Sequence, residues 1–350
     1  MCRIRLGRTD LEVSSVCLGT MTFGEQNSEA EGHAQLDHAL AHGIDFIDTA
    51  EMYAIPPRPE TQGRTEEIIG SWLKARGNRS KVVIASKVSG RGASTWLRDD
   101  RSPTKLARAQ VDEAVAKSLK RLGTDHIDLY QVHWPDRAVS HFGSNPVIWT
   151  DPAPVTDEVP IEETLDALSA HVKAGRIRHI GLSNETAWGT MRWLAAAEAV
   201  GGPRVISIQN AYSLVNRTFE VNLAEVSKRE DVGLLAYSPL AQGYLTGKYR
   251  GGALPTGSRK ALFDRLQRYE KVNTAEAVDD YCALAAELGV SPATLALGFV
   301  ASRPFVASTI LGATSLAQLV EDIAATEFVI TPEIAARIDA IHLRRPNPAP

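Results

Sequence analysis

Cysteine is scarce and scattered. Cys2, Cys17 and Cys282 are the only three in 350 residues, with no CxxC and no even-numbered set. That excludes a disulfide framework and suits a reduced, intracellular compartment. A cationic excess is also lacking. The 38 Lys and Arg against 42 Asp and Glu leave a formal net charge of −4, with an isoelectric point of about 6.2. Neither nucleic acid nor an anionic membrane is an expected partner. No apolar run approaches the ~18 residues of a membrane span. Met1 to Asp10 carries Arg3, Arg5 and Arg8 with no apolar stretch behind them. A secretory signal is therefore not expected, and the expected location is cytoplasmic. GxGxxG is missing too: Gly90-Arg91-Gly92 lacks the third glycine. That argues against a Rossmann site, so any dinucleotide must be held in another way.

The chain does have apolar residues, 44% of the total, in short runs that alternate with helical stretches. The runs are Val16 to Gly19, Ile44 to Asp48, Val82 to Ala85, Ile127 to Val132, Ile177 to Leu182, Val205 to Ile208, Val232 to Tyr237 and Val306 to Leu311. Between them lie faces such as Ile161, Leu165, Leu168 and Val172, spaced 4, 3 and 4 as on one side of a helix. The runs are continuous rather than alternating, as strands covered on both faces should be. Eight strand-helix units imply parallel strands closed into a (β/α)8 TIM barrel. Chains of this type often exceed ~250 residues as one domain, so residues 1–350 are expected to form one barrel domain. Ile4 to Leu6 and Val13 to Ser15, around Thr9-Asp10, read as an N-terminal β-hairpin capping the barrel bottom.

Three segments exceed ordinary loop length: Ala54 to Gly63, Trp134 to Pro160 and Pro239 to Val272. Each follows a strand or its end, which places it on the C-terminal face, where barrel active sites are built. Asp48, Lys87 and His133 stand at the ends of three neighbouring runs, and Tyr53 follows Asp48 by five residues. Together they would converge on one mouth. A free tyrosine titrates near ~10. A lysine ammonium beside it favours the phenolate, and an aspartate can hold that lysine charged. Histidine can hydrogen-bond a carbonyl oxygen. The set suits proton donation to an oxygen while hydride reaches its carbon.

These residues lie in segments that resemble the aldo-keto reductase family. Gly43-Ile44-Asp45-Phe46-Ile47-Asp48-Thr49-Ala50-Glu51-Met52-Tyr53 is similar to the segment with its catalytic Asp and Tyr. Ala85-Ser86-Lys87-Val88 and Asp128 to Pro135 are similar to those with its lysine and histidine. Gly181 to Asn184, Gln209 to Ser213 and Ala236 to Leu240 resemble its nicotinamide-binding segments. The likeness spans Leu18 to about Ala325. It is nearest to the bacterial Tas-type branch, through Leu18 to Ala30, with Gly19, Thr20 and Met21, and through Pro56 to Gly63 and Phe219 to Val221.

The resemblance implies an NADPH-dependent oxidoreductase that reduces an aldehyde or ketone to an alcohol. Tyr53 would be the general acid, Lys87 and Asp48 would tune it, and His133 would orient the carbonyl. Gly19, Thr20 and Met21 fall in the cofactor set. Ser183, Asn184 and Gln209 would hold the nicotinamide carboxamide, and Tyr237 would stack on the ring. Ser238, Pro239, Leu240, Gly243 and Leu245 would line the pyrophosphate path. The far end would meet Gly312, Thr314, Gln318, Glu321 and Asp322, with Lys248 and Arg259 as partners for a 2′-phosphate that favours NADPH. Asp322 departs from the asparagine often found in the family; a carboxylate can accept from an adenine amino group but cannot donate.

His38 and His42 lie four apart on a predicted helix, a zinc-site spacing, but no third ligand is placed to complete it, and no metal is expected. Trp134, Phe142 and Trp149 could wall a substrate pocket or anchor their loop. A non-catalytic NADPH-binding regulatory module is the alternative function; the intact set of four argues for the enzyme, whose expected partner is a small-molecule carbonyl compound. A metal-dependent barrel hydrolase is disfavoured by the lack of strand-end histidine pairs.

Overall fold

Parallel pairing follows from the connections, because each strand of the main sheet is followed by a helical return across its outside. The computed structural model describes residues 1–140, 151–153, 155–264 and 267–350. A short hairpin, β1 (Arg3–Arg5) and β2 (Glu12–Ser14), comes first. The barrel strands are β3 (Val16–Gly19), β4 (Phe46–Asp48), β5 (Val83–Val88), β6 (Ile127–Val132), β7 (Ile177–Ser183), β8 (Val205–Ala211), β9 (Gly233–Tyr237) and β10 (Val306–Leu311). They run in sequence order and close β10 onto β3, every pair parallel. This is the eight-stranded (β/α) barrel expected from the alternating runs.

The helices returning the chain are α1 (Glu29–Ala41), α2 (Arg64–Arg76), α3 (Arg108–Leu122), α4 (Ile161–Lys173), α5 (Ala187–Val200) and α6 (Leu223–Glu230). Beyond β9 come α7 (Arg259–Phe263), α8 (Thr274–Glu287) and α9 (Pro292–Ala301), then α10 (Leu316–Ala325) and α11 (Pro332–Arg344) after β10. Local chemistry sets their ends. Ser28 and Glu31 form a reciprocal capping box at the start of α1. Ser291 caps α9 through its hydroxyl, with Pro292 in the first turn. Pro239 to Val272, expected as a loop, holds α7, which Ser258 caps through its hydroxyl.

Apolar burial falls into two shells. The larger lies between strands and helices and includes Leu165 and Leu168 of α4. The smaller fills the lower barrel interior, where Leu6, Leu11 and Val13 of the hairpin pack with Cys17, Phe46, Leu129, Ile206 and Leu235. The hairpin therefore plugs the barrel bottom. Its Gly7 has φ +59°, and a Cβ there would lie 2.8 Å from Cβ of Ile206, so both conformation and contact require glycine. Among the described residues no single helix is long and apolar enough to cross a membrane.

Candidate active site

Polar residues replace apolar ones where the strands reach the open end of the barrel. Pairing sets their level: Asp48 on β4 lies opposite Ala85 on β5, and Lys87 on β5 lies opposite Gln131 on β6. The fully buried Lys87 ammonium uses three donors. It reaches Oδ2 of Asp48 at 2.6 Å, the Thr49 carbonyl at 2.7 Å and the Tyr53 hydroxyl at 3.5 Å. Oδ1 of Asp48 accepts from Nε2 of Gln131 at 3.1 Å and from Nε2 of Gln209 at 2.8 Å. Burial alone would push the Lys87 ammonium down, but Asp48 and the Tyr53 oxygen outweigh it, and the net shift is up.

The Tyr53 ring meets His133 edge-on, with centroids 5.7 Å apart at 78°. His133 follows β6, and its backbone N–H donates to the Val88 carbonyl at 2.9 Å. Asp48, Tyr53, Lys87 and His133 thus stand together, as the sequence placed them. One expectation about direction is corrected. The Lys87 charge does act to lower the Tyr53 phenol, but burial is the larger effect and the net shift is up. In the folded chain the hydroxyl therefore holds its proton more firmly than a free tyrosine does.

A buried ion pair that the sequence reading missed fastens the Tyr53 segment. Glu51 accepts from Arg98 at 2.8 and 3.0 Å and from the Ser89 N–H at 2.7 Å. The Glu51 N–H donates to the Lys87 carbonyl at 3.2 Å, and the Gly63 N–H to the Tyr53 carbonyl at 2.6 Å. Glu51 and Arg98 are 47 positions apart, so no local spacing announces them. Gly19, Thr20 and Met21 adjoin the same segment. The Thr20 hydroxyl donates to the Asp48 carbonyl at 2.8 Å, and the Met21 carbonyl accepts from the Ile55 N–H at 2.9 Å.

Ser183, Asn184, Gln209 and Tyr237 converge on the other side of the mouth. The Ser183 hydroxyl donates to the Gln209 carbonyl at 2.8 Å, and the Asn184 amide to the His133 carbonyl at 2.9 Å. The Tyr237 hydroxyl donates to Oδ1 of Asn184 at 2.7 Å and accepts from Arg268 at 3.0 Å. The Arg268 guanidinium lies 5.6 Å from the Tyr237 ring centroid, a contact between residues 31 positions apart that no local spacing announces. Non-glycine residues with positive φ gather just beyond β9: Ser238 at 55°, Ala241 at 49° and Gln242 at 55°, followed by Gly243 at 97°. Such conformations are costly and cluster at ligand sites. Leu240 and Pro239 form the turn between them, and Leu245 is buried below it.

The segments after β9 and β10 form a separate group. The Lys248 side chain lies across Gly243, where a Cβ would come within 2.7 Å of its Cε. Arg259 opens α7. Gly312 and Thr314 precede α10, and Gln318 turns back on Thr314, accepting from its N–H and hydroxyl, each at 3.0 Å. Glu321 is exposed and Asp322 buried on the same helix. Burial, then the adjacent Glu321 charge, push the Asp322 carboxyl up to about 7, with Lys248 opposing. Near neutral pH a protonated Asp322, able to donate, is therefore well populated.

The His42 ring donates to the His38 carbonyl at 2.8 Å, at the end of α1. Among the described residues no group of three or more His, Cys, Asp or Glu could hold a metal ion. The Trp134 indole N–H donates to the Arg91 carbonyl at 2.8 Å, and its ring lies 4.8 Å from His133. It anchors the loop while standing beside the histidine. Phe142 and Trp149 lie outside the described residues. A cavity of about 230 Å³ opens between the starts of α4 and α5, lined by Pro135, Arg137, Trp188 and Trp193 among others. Asp48, Tyr53, Lys87 and His133 are not among its lining residues.

Comparison with known proteins agrees with this arrangement. Residues 15–343 match the model of the aldo/keto reductase family. The chain is 52% identical over 348 residues to Protein tas of Escherichia coli, covering 99% of each. It is 33% identical to the uncharacterized oxidoreductase YrpG of Bacillus subtilis, over 96% of this chain and 94% of that one. It is also 31% identical to a probable voltage-gated potassium channel subunit beta of Arabidopsis thaliana, over 98% and 97%. Matched across nearly its whole length and built as the barrel described above, the chain belongs to the aldo/keto reductase family, a family of NAD(P)-dependent oxidoreductases.

Proposed function

We propose that this protein reduces an aldehyde or ketone to an alcohol with NADPH, using Tyr53 as the general acid. The observation that carries the reading is the buried Lys87 ammonium, bonded at once to Asp48, the Thr49 carbonyl and the Tyr53 hydroxyl, with His133 against the tyrosine edge. The residues present fit a nicotinamide dinucleotide. Ser183, Asn184 and Gln209 offer amide and hydroxyl groups beside the cluster, and the positive-φ turn at Ser238 to Gly243 offers closely approachable backbone. Lys248 and Arg259 supply cations further along, which support a 2′-phosphate. When bound, the cofactor supplies hydride.

The chain's own residues do the rest. His133 donates a hydrogen bond to the substrate oxygen and sets the carbonyl beside Tyr53. As hydride reaches carbon, negative charge develops on that oxygen and the Tyr53 hydroxyl gives it a proton. The phenolate left behind faces the Lys87 ammonium, which Asp48 and the Thr49 carbonyl hold in place. Tyr53 then recovers a proton from water. Burial holds the proton on the phenol, and the Lys87 charge opposes that burial by favouring the phenolate as the proton leaves.

The regulatory-module alternative draws on the relatives named as potassium channel β subunits. It predicts NADPH binding with slow or no turnover. NADPH oxidation with a panel of reactive aldehydes separates the two readings. Sustained turnover supports the reductase, whereas tight NADPH binding with none across the panel overturns it.

A further inference from the structure

We infer that Gln131 is a positioning residue of this reaction: with Gln209 it forms a two-amide bridge that orients Asp48 and turns the side-chain oxygen Oε1 of Gln209 toward the carboxamide NH₂ of a bound nicotinamide. The inference rests on the reductase reading above. Its basis is a closed set of bonds. Nε2 of Gln131 donates to Oδ1 of Asp48 at 3.1 Å. Nε2 of Gln209 donates to the same oxygen at 2.8 Å and to Oε1 of Gln131 at 3.2 Å. A carboxylate has no hydrogen to give, so the group each amide turns to Asp48 is its NH₂. Reversing either amide would set a carbonyl oxygen against the carboxylate. Both N–H bonds of Gln209 are then committed, one to Asp48 and one to Gln131, and its oxygen takes part in neither.

The barrel makes room for this bridge. Gln131 is fully buried, and its neighbour in register on β7 is Gly181. A Cβ at 181 would lie 3.3 Å from Cγ of Gln131 and 2.7 Å from Oγ of Ser207. Glycine at that position keeps the space the glutamine side chain uses. Gln131 is 83 positions from Asp48 and 78 from Gln209, and meets both through strand closure alone. Without it, the second N–H of Gln209 loses its acceptor and the amide keeps one anchor. Asp48, which braces Lys87, loses one of its two amide donors. The predicted consequences are a weaker acid assembly and a nicotinamide no longer restricted to one face.

The experiment uses the full-length chain, NADPH deuterated at either C4 position, and a reactive aldehyde. Gln131→Met keeps the volume and removes both bonds. NADPH affinity should change little, because the dinucleotide's other contacts lie elsewhere. Turnover should fall about 10-fold or more, the worth of one hydrogen bond to a charged group, and deuterium should transfer from both faces. Gln131→Glu supplies an independent readout within one protein. Its protonated carboxyl would reproduce the amide's pattern, donating to Asp48 and accepting from Gln209, while its ionised form would repel Asp48. Buried beside that charge, the introduced group stays protonated to a raised pH, so turnover relative to the unsubstituted chain should rise from about pH 8.5 to about pH 5.5. Single-face transfer at unchanged turnover in Gln131→Met overturns the inference. If that variant fails to fold, Gln131→Glu decides alone: a deficit constant across the pH range overturns it. No turnover in the unsubstituted chain overturns the reductase reading and this inference with it; normal turnover there confines any failure to Gln131.

Discussion

Replacing Lys87 with methionine removes one charge from the centre of the cluster while nearly keeping its volume. The structure gives the cost. The ammonium lies 3.5 Å from the oxygen that would become phenolate. Two unit charges at that distance interact by roughly 4–5 kcal/mol at an effective dielectric of ~20, about 10³-fold in rate if fully realised in the transition state. Folding is affected too. The lost cation leaves the Asp48 carboxylate buried with its two glutamine donors, and breaking a buried pair costs ~3–5 kcal/mol. The double variant Asp48→Asn with Lys87→Met separates these effects. It removes the stranded charge and should recover much of the lost melting temperature, yet recover no turnover. The assays are thermal denaturation and steady-state NADPH oxidation with a reactive aldehyde. A fall below ~10-fold in Lys87→Met, or turnover returning with stability in the double variant, would refute the assignment of charge support to this lysine.

Arg259→Ala should weaken NADPH about 10-fold or more while leaving NADH nearly unchanged, as loss of a charge-assisted contact requires; equal effects on both in fluorescence titrations would remove Arg259 from the 2′-phosphate site. Asp322 is pushed up to about 7 in the folded chain, so folding takes up a proton there and stability declines as pH rises from its unfolded value toward about 7. Asp322→Asn should therefore be more stable than the unsubstituted chain near pH 8, by of order 2–4 kcal/mol, with the gap closing near about pH 4; melting curves showing a pH-independent gap would contradict this. Glu51→Gln and Arg98→Met should each destabilise by ~3–5 kcal/mol, and the double change by less than their sum, with additive losses in denaturant titrations as the opposing result.

Much of this layout is legible in the sequence. Asp48, Lys87 and His133 could be located because each interrupts or ends an apolar run, and the covered sheet of a barrel makes such runs conspicuous. The runs nonetheless end early. β5 continues to Val88, β7 to Ser183 and β8 to Ala211, since ladder hydrogen bonds persist where side chains turn polar at the mouth. Gln131 was visible as a polar residue inside a buried strand, a signal that could have been followed. Its partners could not be read, because register and closure, not spacing, bring Asp48 and Gln209 to it. Glu51 with Arg98, and Tyr237 with Arg268, are likewise long-range pairs. The net direction at Tyr53 required burial to be weighed against the Lys87 charge, and burial is a property of the folded chain.

Tyr53→Phe addresses the central claim most directly, because it deletes the hydroxyl and keeps the ring that packs against His133. Cofactor binding is followed by fluorescence quenching and turnover by NADPH oxidation with a nitrobenzaldehyde. The account predicts NADPH affinity close to that of the unsubstituted chain and turnover lower by at least ~10²-fold, the smaller contribution expected of a positioned acid. Combining the change with Lys87→Met should add little, since both act on one proton-donating unit. Undiminished turnover in Tyr53→Phe, with NADPH still bound, would contradict the mechanism.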